Sequence, residues 1–425
     1  MRRERTEPEG AHHTAVHPFA AGTPSLLKAI NERSVLEFVR QMGPVSRAQI
    51  ARDSDLSKPT VSQALVALVD AGLVREAGRS SGSRGPSAVL YELNPRAGWV
   101  VGLDVGRDYV RAAIANLSGD IVARRDERAR VRSQRTLISQ IGEIAHGLAA
   151  EAGVRWKQVT FATVGSPGVF DPATGHVALA HALPGWGRTG LVQAVQEGLG
   201  TKVGIENDVN LAALGEQWLG LGKDVANFVY LHVGTGVGAG LVMRGELYRG
   251  ETGAAGEVGY LPLIGDPKDR SLRKRGALDT RAGASGVVAI GRELGMKPPV
   301  SPRNVFAAAR RGDRIAQRVV ALEAEQIALA IAAIVPIVDP ELVILGGGIG
   351  RNGDLLLEPV RQALKAILPF RVRLEISPLG EEAVVLGAVW MALQVAQDLL
   401  FTRTQGGGSA MGVLGGGSSE DMRGR

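Results

Sequence analysis

The chain has 425 residues, a net charge of +6 and no cysteine. The length suits two or three domains, and the lack of cysteine excludes disulfides and thiolate metal sites. The small charge does not by itself indicate a nucleic-acid partner. The first ten residues lack the apolar segment of a signal peptide, and the most apolar run, Ile327 to Val338, is too short to cross a bilayer. We therefore expect a cytoplasmic protein without a membrane partner.

The N-terminal quarter has the pattern of a small helical domain followed by a hairpin. Residues 1–22 carry charge without apolar periodicity, which predicts a disordered arm. Three helices are expected to begin near Leu26, Ser46 and Ser57. Two strands are expected near residues 73–76 and 88–93, joined by a glycine- and serine-rich segment. This order predicts a winged helix-turn-helix domain over residues 24–95.

The third predicted helix has an inward and an outward face. Val61, Leu65 and Leu68 share the inward side, which leaves polar residues for the major groove of DNA. Gln63 suits adenine, and Lys58 suits guanine or a phosphate. The candidate DNA-binding residues are Arg47, Ser57, Lys58, Thr60, Ser62, Gln63, Arg79 and Arg84. The alternative interpretation is a small helical domain used for dimerisation or docking.

From residue 98 to about residue 400, apolar strands alternate with amphipathic helices. Such alternation is typical of an α/β architecture. The stretch Asn94-Pro95-Arg96 breaks the pattern before this region and predicts a linker. Residues 405–425 are rich in glycine and serine, which predicts a flexible tail.

Six glycine-rich or acidic motifs follow one another in the α/β region. They are Gly102-Leu103-Asp104-Val105-Gly106, Gly165-Ser166-Pro167-Gly168, Glu206-Asn207-Asp208, Gly234 to Gly240, Gly253 to Tyr260, and Leu345 to Gly348. In this order they resemble the ROK family (repressors, open reading frames and kinases), and a preceding winged helix is similar to its repressor branch. The resemblance covers about residues 26–400. It implies an α/β, actin-like, hexokinase-like domain of two lobes over residues 98–400.

The resemblance also implies a sugar site. In family kinases the aspartate of the Asn-Asp pair is the general base on a sugar hydroxyl, which here implies Asp208. Asn207 and Glu257 are implied as further ligands of an effector sugar. The position of a second acidic sugar ligand corresponds to Asp279.

Two departures from the family pattern change what this site is expected to do. In the first phosphate loop, Arg107 and Asp108 replace a glycine and a threonine, and the added bulk and negative charge oppose ATP phosphates. We therefore expect no catalytic residue and no cofactor. Many family members bind zinc through one histidine and three cysteines, but Tyr260 and the basic segment Pro267 to Arg275 stand in their places, so no metal is expected.

Two features are open to two interpretations each. The basic segment binds an acidic group of the effector, or it is a solvated surface loop. Trp186 stacks on the sugar, or it fills a core.

The leading hypothesis is a sugar-responsive, DNA-binding transcriptional regulator, a repressor by the branch it resembles, with a degenerate kinase-like effector domain. The alternative is an ATP-dependent sugar kinase with an appended DNA-binding domain. A structural or interaction protein fits less well, because the sugar-site residues are present. The expected partners are double-stranded operator DNA and a sugar or sugar derivative. One recognition helix reads few base pairs, so a homodimer or homotetramer is expected.

Overall fold

The computed structural model describes residues 24–80, 87–263, 265 and 268–404. The chain divides between Leu93 and Asn94 into two compact units. The predicted disordered arm, the predicted flexible tail and Arg84 lie outside the described residues.

The first unit has the three helices and the two hairpin strands that the sequence predicts, in the predicted order, and one short strand, Val45–Ser46, that was not predicted. These are α1 (Pro24–Met42), β1 (Val45–Ser46), α2 (Arg47–Asp53), α3 (Lys58–Asp70), β2 (Val74–Arg79) and β3 (Val89–Leu93). Strands β2 and β3 form an antiparallel hairpin, and β1 pairs with the other edge of β3. The Ser46 hydroxyl accepts a hydrogen bond from the Gln49 amide and caps α2. Ser57 caps α3 in the same way through the amide of Thr60.

The core of the first unit comes from one side of each helix. The three residues predicted to face inward on α3, Val61, Leu65 and Leu68, are all buried. On α1 the buried apolar residues begin only at Val35. Leu27 and Ile30, which suit the apolar face of this helix in the sequence, are 54% and 51% exposed. They lie on the first two turns of α1, ahead of the part that packs into the core.

The second unit alternates strands with helices. Its strands are β4 (Trp99–Val105), β5 (Tyr109–Asn116), β6 (Ile121–Arg128), β7 (Val159–Ser166), β8 (Val169–Asp171), β9 (His176–Ala178), β10 (Val203–Asn207), β11 (Phe228–Val233), β12 (Val237–Met243), β13 (Glu246–Tyr248), β14 (Leu342–Gly346) and β15 (Leu374–Ile376). Its helices are α4 (Gln134–Glu151), α5 (Leu191–Leu199), α6 (Asp208–Leu219), α7 (Arg270–Arg275), α8 (Ala277–Ala282), α9 (Ala284–Glu293), α10 (Pro302–Arg310), α11 (Arg314–Val338), α12 (Gly347–Gly350), α13 (Gly353–Ile367) and α14 (Ala383–Thr404).

The second unit contains the same sheet topology twice. One sheet has the order β6-β5-β4-β7-β10 and the other has the order β13-β12-β11-β14-β15. In each sheet an antiparallel meander of three strands precedes two strands that run parallel to the first. Numbered within its own sheet, the order is 3-2-1-4-5 both times. A duplicated sheet of this kind is what the predicted actin-like fold with two lobes requires.

Helices α6 and α14 join the two lobes. Helix α14 shares a buried cluster with β4 and β5, and α6 shares one with β11 and β14. The helices approach each other closely at two glycines. A Cβ atom added to Gly387 would lie 1.7 Å from the carbonyl oxygen of Leu211, and one on Gly215 would lie 2.2 Å from that of Ala383. Glycine at these positions therefore allows the contact between the two backbones.

Within the described residues, two helical segments are long and apolar enough to span a membrane. They are α11 (Arg314–Val338) and the segment Gly380–Arg403, which contains most of α14. Half of the most apolar stretch of each is buried inside the protein, as expected for core helices. The first of them includes the run from Ile327 to Val338, and Pro336 lies within its last turn rather than ending it.

We expect Gly387→Ala to lower the free energy of unfolding by about 1–3 kcal/mol or more. Overpacking usually has an effect of this size, and here the added methyl group forces α6 and α14 apart. Gly147→Ala on α4 is the matched control, since the added Cβ would meet only the flexible end of Arg125. That alanine should be neutral or stabilise by about 0.5–1 kcal/mol. Denaturant unfolding of both variants measures the difference, and equal stabilities would contradict the close contact.

Candidate functional site

Two of the predicted sugar ligands, Asn207 and Asp208, lie where β10 ends, and Asp104 lies at the corresponding end of β4. Asp104 is the penultimate residue of β4, Asn207 ends β10 and Asp208 begins α6. Strands β4, β7 and β10 run parallel, so their carboxyl ends meet at one edge of the sheet. This edge is where open α/β sheets bind ligands.

Asp208 is half-buried at this edge. Its Oδ1 accepts a hydrogen bond of 2.9 Å from the Val209 amide. Burial and the nearby Asp104 carboxylate raise the pKa of Asp208 to about 7, and Glu257 adds to the rise. Asp208 therefore exchanges its proton near neutral pH, and it lies within electrostatic reach of two other carboxyls.

Glu257 and Asp279 extend this group of carboxyls. Burial raises the pKa of Glu257, and the charge of Asp279 adds to the rise. Burial also raises the pKa of Asp279 to about 6, although its Oδ1 accepts a hydrogen bond of 2.5 Å from the Val237 amide. Gly259 permits this approach, because a Cβ there would lie 2.4 Å from the same oxygen. The structure thus brings together the three acidic residues that the sequence singled out as sugar ligands.

Asn207 has a structural role in addition to its place at the site. Its Oδ1 accepts hydrogen bonds from the amides of Val209 and Asn210, which caps α6. Its Nδ2 donates to the carbonyl oxygen of Gly168 at 3.0 Å. One amide hydrogen remains for a ligand, since the side chain carries two.

Glu206, beside Asn207, is a supporting residue that the sequence reasoning missed. Its side chain is 4% exposed. Its Oε1 accepts from the Asn207 amide and from Asn210 Nδ2, and its Oε2 pairs with Arg249 Nε at 2.6 Å. Arg249 begins the loop that leads to Glu257. The ion pair therefore fixes the Asn-Asp segment against the loop that carries the next carboxyl.

The first phosphate loop forms the turn between β4 and β5. Arg107 and Asp108 in this turn are both exposed, and their side chains pair at 3.7 Å. Asp104, by contrast, is buried, and burial raises its pKa to about 6 although Arg111 lies beside it. Arg111 Nη1 lies 3.3 Å from Asp104 Oδ2.

Arg111 belongs to a network of ion pairs that reaches the second lobe. Its Nη2 pairs with Glu381 Oε2 at 2.5 Å, and Glu381 Oε1 pairs with Arg351 at the end of α12 at 2.6 Å. This network was not predicted from the sequence, although its contact between Arg111 and Asp104 could have been. A tight turn at residues 106–108 places Arg111 opposite Asp104, which is the register observed.

The structure resolves one of the two open interpretations. Trp186 is fully buried, and its Nε1 donates to Ser166 Oγ at 2.7 Å, so it fills the core of the first lobe.

Tyr260 is half-buried, and burial together with the charges of Glu257 and Asp279 raises its pKa. In the basic segment, Lys274 and Arg275 are exposed on α7. Among the described residues, no three His, Asp or Glu side chains converge in a way that could hold a metal ion.

The predicted DNA-binding residues lie on the first unit, apart from Arg84, which is outside the described residues. Lys58 and Gln63 are exposed on α3, and Ser62 is half-buried beside them. The hydroxyls of Ser57 and Thr60 bond each other at 2.7 Å at the start of the helix. Arg47 is exposed on α2, where its Nη2 donates to the Tyr91 hydroxyl at 2.5 Å. Arg79 is exposed at the end of β2.

Comparison with known proteins covers both units. The ROK family profile matches residues 100–395, and the profile of the IclR helix-turn-helix domain matches residues 34–78. Over 389 residues the chain is 29% identical to the xylose repressor of Caldicellulosiruptor bescii, with 88% of this chain and 97% of the repressor covered. It is 30% identical over 311 residues to the glucokinase of Thermotoga maritima, with 68% of this chain and 95% of the glucokinase covered.

Among solved structures, a ROK family transcriptional regulator described as a homolog of the E. coli MLC protein superposes with a TM-score of 0.74 at 24% identity. The superposition covers 89% of this chain and 99% of that regulator. It confirms the predicted α/β fold, a two-lobed actin-like, hexokinase-like domain preceded by a helix-turn-helix domain. The chain belongs to the ROK family.

Proposed function

We propose that this chain is a sugar-responsive, DNA-binding transcriptional repressor. The observation that carries the proposal is that one chain combines a capped recognition helix with exposed polar residues and a group of neighbouring carboxyls in a ROK domain. The xylose repressor and the E. coli regulator NagC among its relatives support the same combination of activities. Such a regulator acts on the chromosome, so we place the protein in the cytoplasm.

In this proposal, Asp208, Glu257 and Asp279 accept hydrogen bonds from the hydroxyls of an effector sugar. Asn207 donates its remaining amide hydrogen. Hydrogen bonds from a hydroxyl to an ionised carboxylate are stronger than those between neutral groups, which offsets the cost of burying these carboxyls. The similarity to the xylose repressor of Caldicellulosiruptor bescii makes xylose the first effector to test.

The domain boundaries support a division of labour. We assign residues 24–95 to DNA recognition and residues 98–400 to effector binding, which agrees with the division of the chain after Leu93. The effector changes operator affinity only by the difference in its affinity for the two states of the protein. We further propose a homodimer or homotetramer, because a two-fold operator needs two recognition helices.

We also propose that the ROK domain of this chain does not transfer phosphate. Arg107 and Asp108 add bulk and charge at the loop that approaches phosphates in family kinases. Arg111 already pairs with Asp104 and Glu381 beside that loop, which leaves less room for a nucleotide and its metal ion. The glucokinases among the relatives make the kinase the alternative to be tested.

Lys58→Ala should weaken operator binding and flatten its dependence on salt, because a lysine that contacts a phosphate releases counterions bound to the DNA. The slope of log K against log salt should change by about 0.9 for one lost phosphate contact. Fluorescence anisotropy at several salt concentrations measures both quantities. Lys157→Ala removes an exposed lysine from the ROK domain and should leave both unchanged. An unaltered slope in Lys58→Ala would show that another surface binds DNA.

Asp208→Asn should lower the affinity for the effector at least about tenfold, because charge-assisted hydrogen bonds contribute about 1.5–3 kcal/mol each. Operator affinity without effector should stay nearly unchanged. Operator titrations with and without xylose, followed by other sugars, measure the response, and Glu325→Gln on the exposed side of α11 is the control. A full response of Asp208→Asn at the wild-type sugar concentration would remove Asp208 from the site.

The pKa of Asp208, about 7, predicts that effector affinity rises with pH while the stability of the effector-free protein falls. Asp208 is ionised above pH 7, so effector affinity should fall as the pH is lowered from 8 to 6. Without effector, the raised pKa makes the ionised form unfavourable in the folded state, so this residue costs stability as the pH rises. Asp208→Asn should therefore melt at a higher temperature than wild type at pH 8, and the difference should shrink toward pH 5. A lower melting temperature at pH 8 would contradict the assigned burial.

With ATP, Mg²⁺ and either glucose or xylose, we expect no phosphotransfer above background from the wild-type chain. A coupled assay for ADP measures it, and the Thermotoga maritima glucokinase with glucose is the positive control. Turnover within the usual kinase range of about 1–100 s⁻¹ would establish the kinase alternative instead.

A further inference from the structure

The outward face of α3 carries an apolar residue near its centre. Val66 is 51% exposed and lies one turn beyond Gln63, which is also exposed. The buried residues Val61, Leu65 and Leu68 occupy the other side of the helix. Val66 is therefore on the face that the helix-turn-helix presents to the major groove, and not on its rim.

The chemistry of this face limits what Val66 can recognise. Base edges in the major groove display hydrogen-bond donors and acceptors and one apolar group, the C5-methyl of thymine. The Gln63 amide matches the donor and acceptor of adenine. Val66 has no polar atom in its side chain, so it cannot replace the water that a polar base edge loses on contact. Of the groups on the base edges, the thymine methyl offers Val66 the largest apolar partner.

The spacing of the two residues suits neighbouring base pairs. Three residues advance an α-helix by about 4.5 Å, and stacked base pairs are about 3.4 Å apart. A helix lying along the groove with Gln63 against one pair therefore brings Val66 to the next pair or just past it.

We infer that Val66 selects a thymine in each operator half-site, by packing against its methyl group beside the pair that Gln63 contacts. The inference rests on the DNA-binding function proposed above. It adds a determinant of sequence specificity that the polar residues of α3 do not supply.

The test uses the full-length chain and duplexes that the wild-type protein selects from a random library. Each thymine of a selected duplex is replaced in turn by deoxyuridine, which removes only the methyl group. At one thymine per half-site, the replacement should weaken wild-type binding about fourfold, which corresponds to about 0.8 kcal/mol for one buried methyl group. Val66→Ala should bind the unmodified duplex less tightly and should show no further loss at that thymine.

Two features of the design make the result specific. Alanine has a higher helix propensity than valine, so Val66→Ala keeps α3 folded. Val122→Ala removes a valine that is 45% exposed on β6 and should behave as wild type at every thymine. Coupling between the protein change and a single base change is what a direct contact produces.

Each other outcome overturns the inference in a distinguishable way. If the wild type selects duplexes but no uridine position couples to Val66→Ala, Val66 does not read thymine. If Val66→Ala weakens binding to every duplex equally and shifts the oligomeric state in sedimentation, the residue belongs to an interface between copies of the chain. If the wild type selects no duplex, the proposed DNA-binding function fails, and this inference fails with it.

Discussion

The backbone contact between α6 and α14 is the constraint on which the site depends. Helix α6 begins with Asp208 at the sheet edge and crosses α14 where the absence of side chains at Gly215 and Gly387 allows close contact. At the far end of α6, the buried Glu216 accepts hydrogen bonds from Ser377 Oγ and the Leu221 amide. Since α14 packs on one sheet and α6 on the other, this crossing fixes Asp208 with respect to both lobes.

The carboxyls around Asp208 are costly for the folded state. Burial raises the pKa of Asp104, Asp208 and Asp279, which means that their ionised forms are unfavourable where they lie. Folded proteins accept such a cost mainly at functional sites. In the function proposed above, a ligand rich in hydroxyls supplies the hydrogen bonds that water no longer provides at these carboxyls, so its binding strength and the cost of the unliganded site have one origin.

The sequence predicted much of the fold for identifiable physical reasons. The spacing of Val61, Leu65 and Leu68 defined the buried side of α3, and the serine caps marked where two helices begin. The ordered motifs contained Asp208 and Glu257, and the family resemblance implied Asp279; the structure places these three residues near one another.

What the sequence did not reveal depends on pairs that are distant along the chain. Arg249 meets Glu206 and Arg111 meets Glu381, and no local pattern predicts either pair. Leu27 and Ile30 fit the helical periodicity of α1 but lie beyond the part that packs. Periodicity shows which side of a helix is apolar, not how far along the helix the neighbouring elements reach. The sequence left the role of Trp186 open, since periodicity does not show which residues surround a side chain in the fold.

The Arg111 network also limits which substitutions this part of the domain can accept one at a time. Replacing Arg111 alone would leave Asp104 buried near Asp208 without its cation, and breaking a buried pair by removing one partner is strongly destabilising. Placing the glycine and threonine of the family pattern at positions 107 and 108 would still leave Arg111 beside the loop. A change in the chemistry of this loop therefore requires several substitutions together, with less stable proteins in between. The stability of the fold limits how this loop can change.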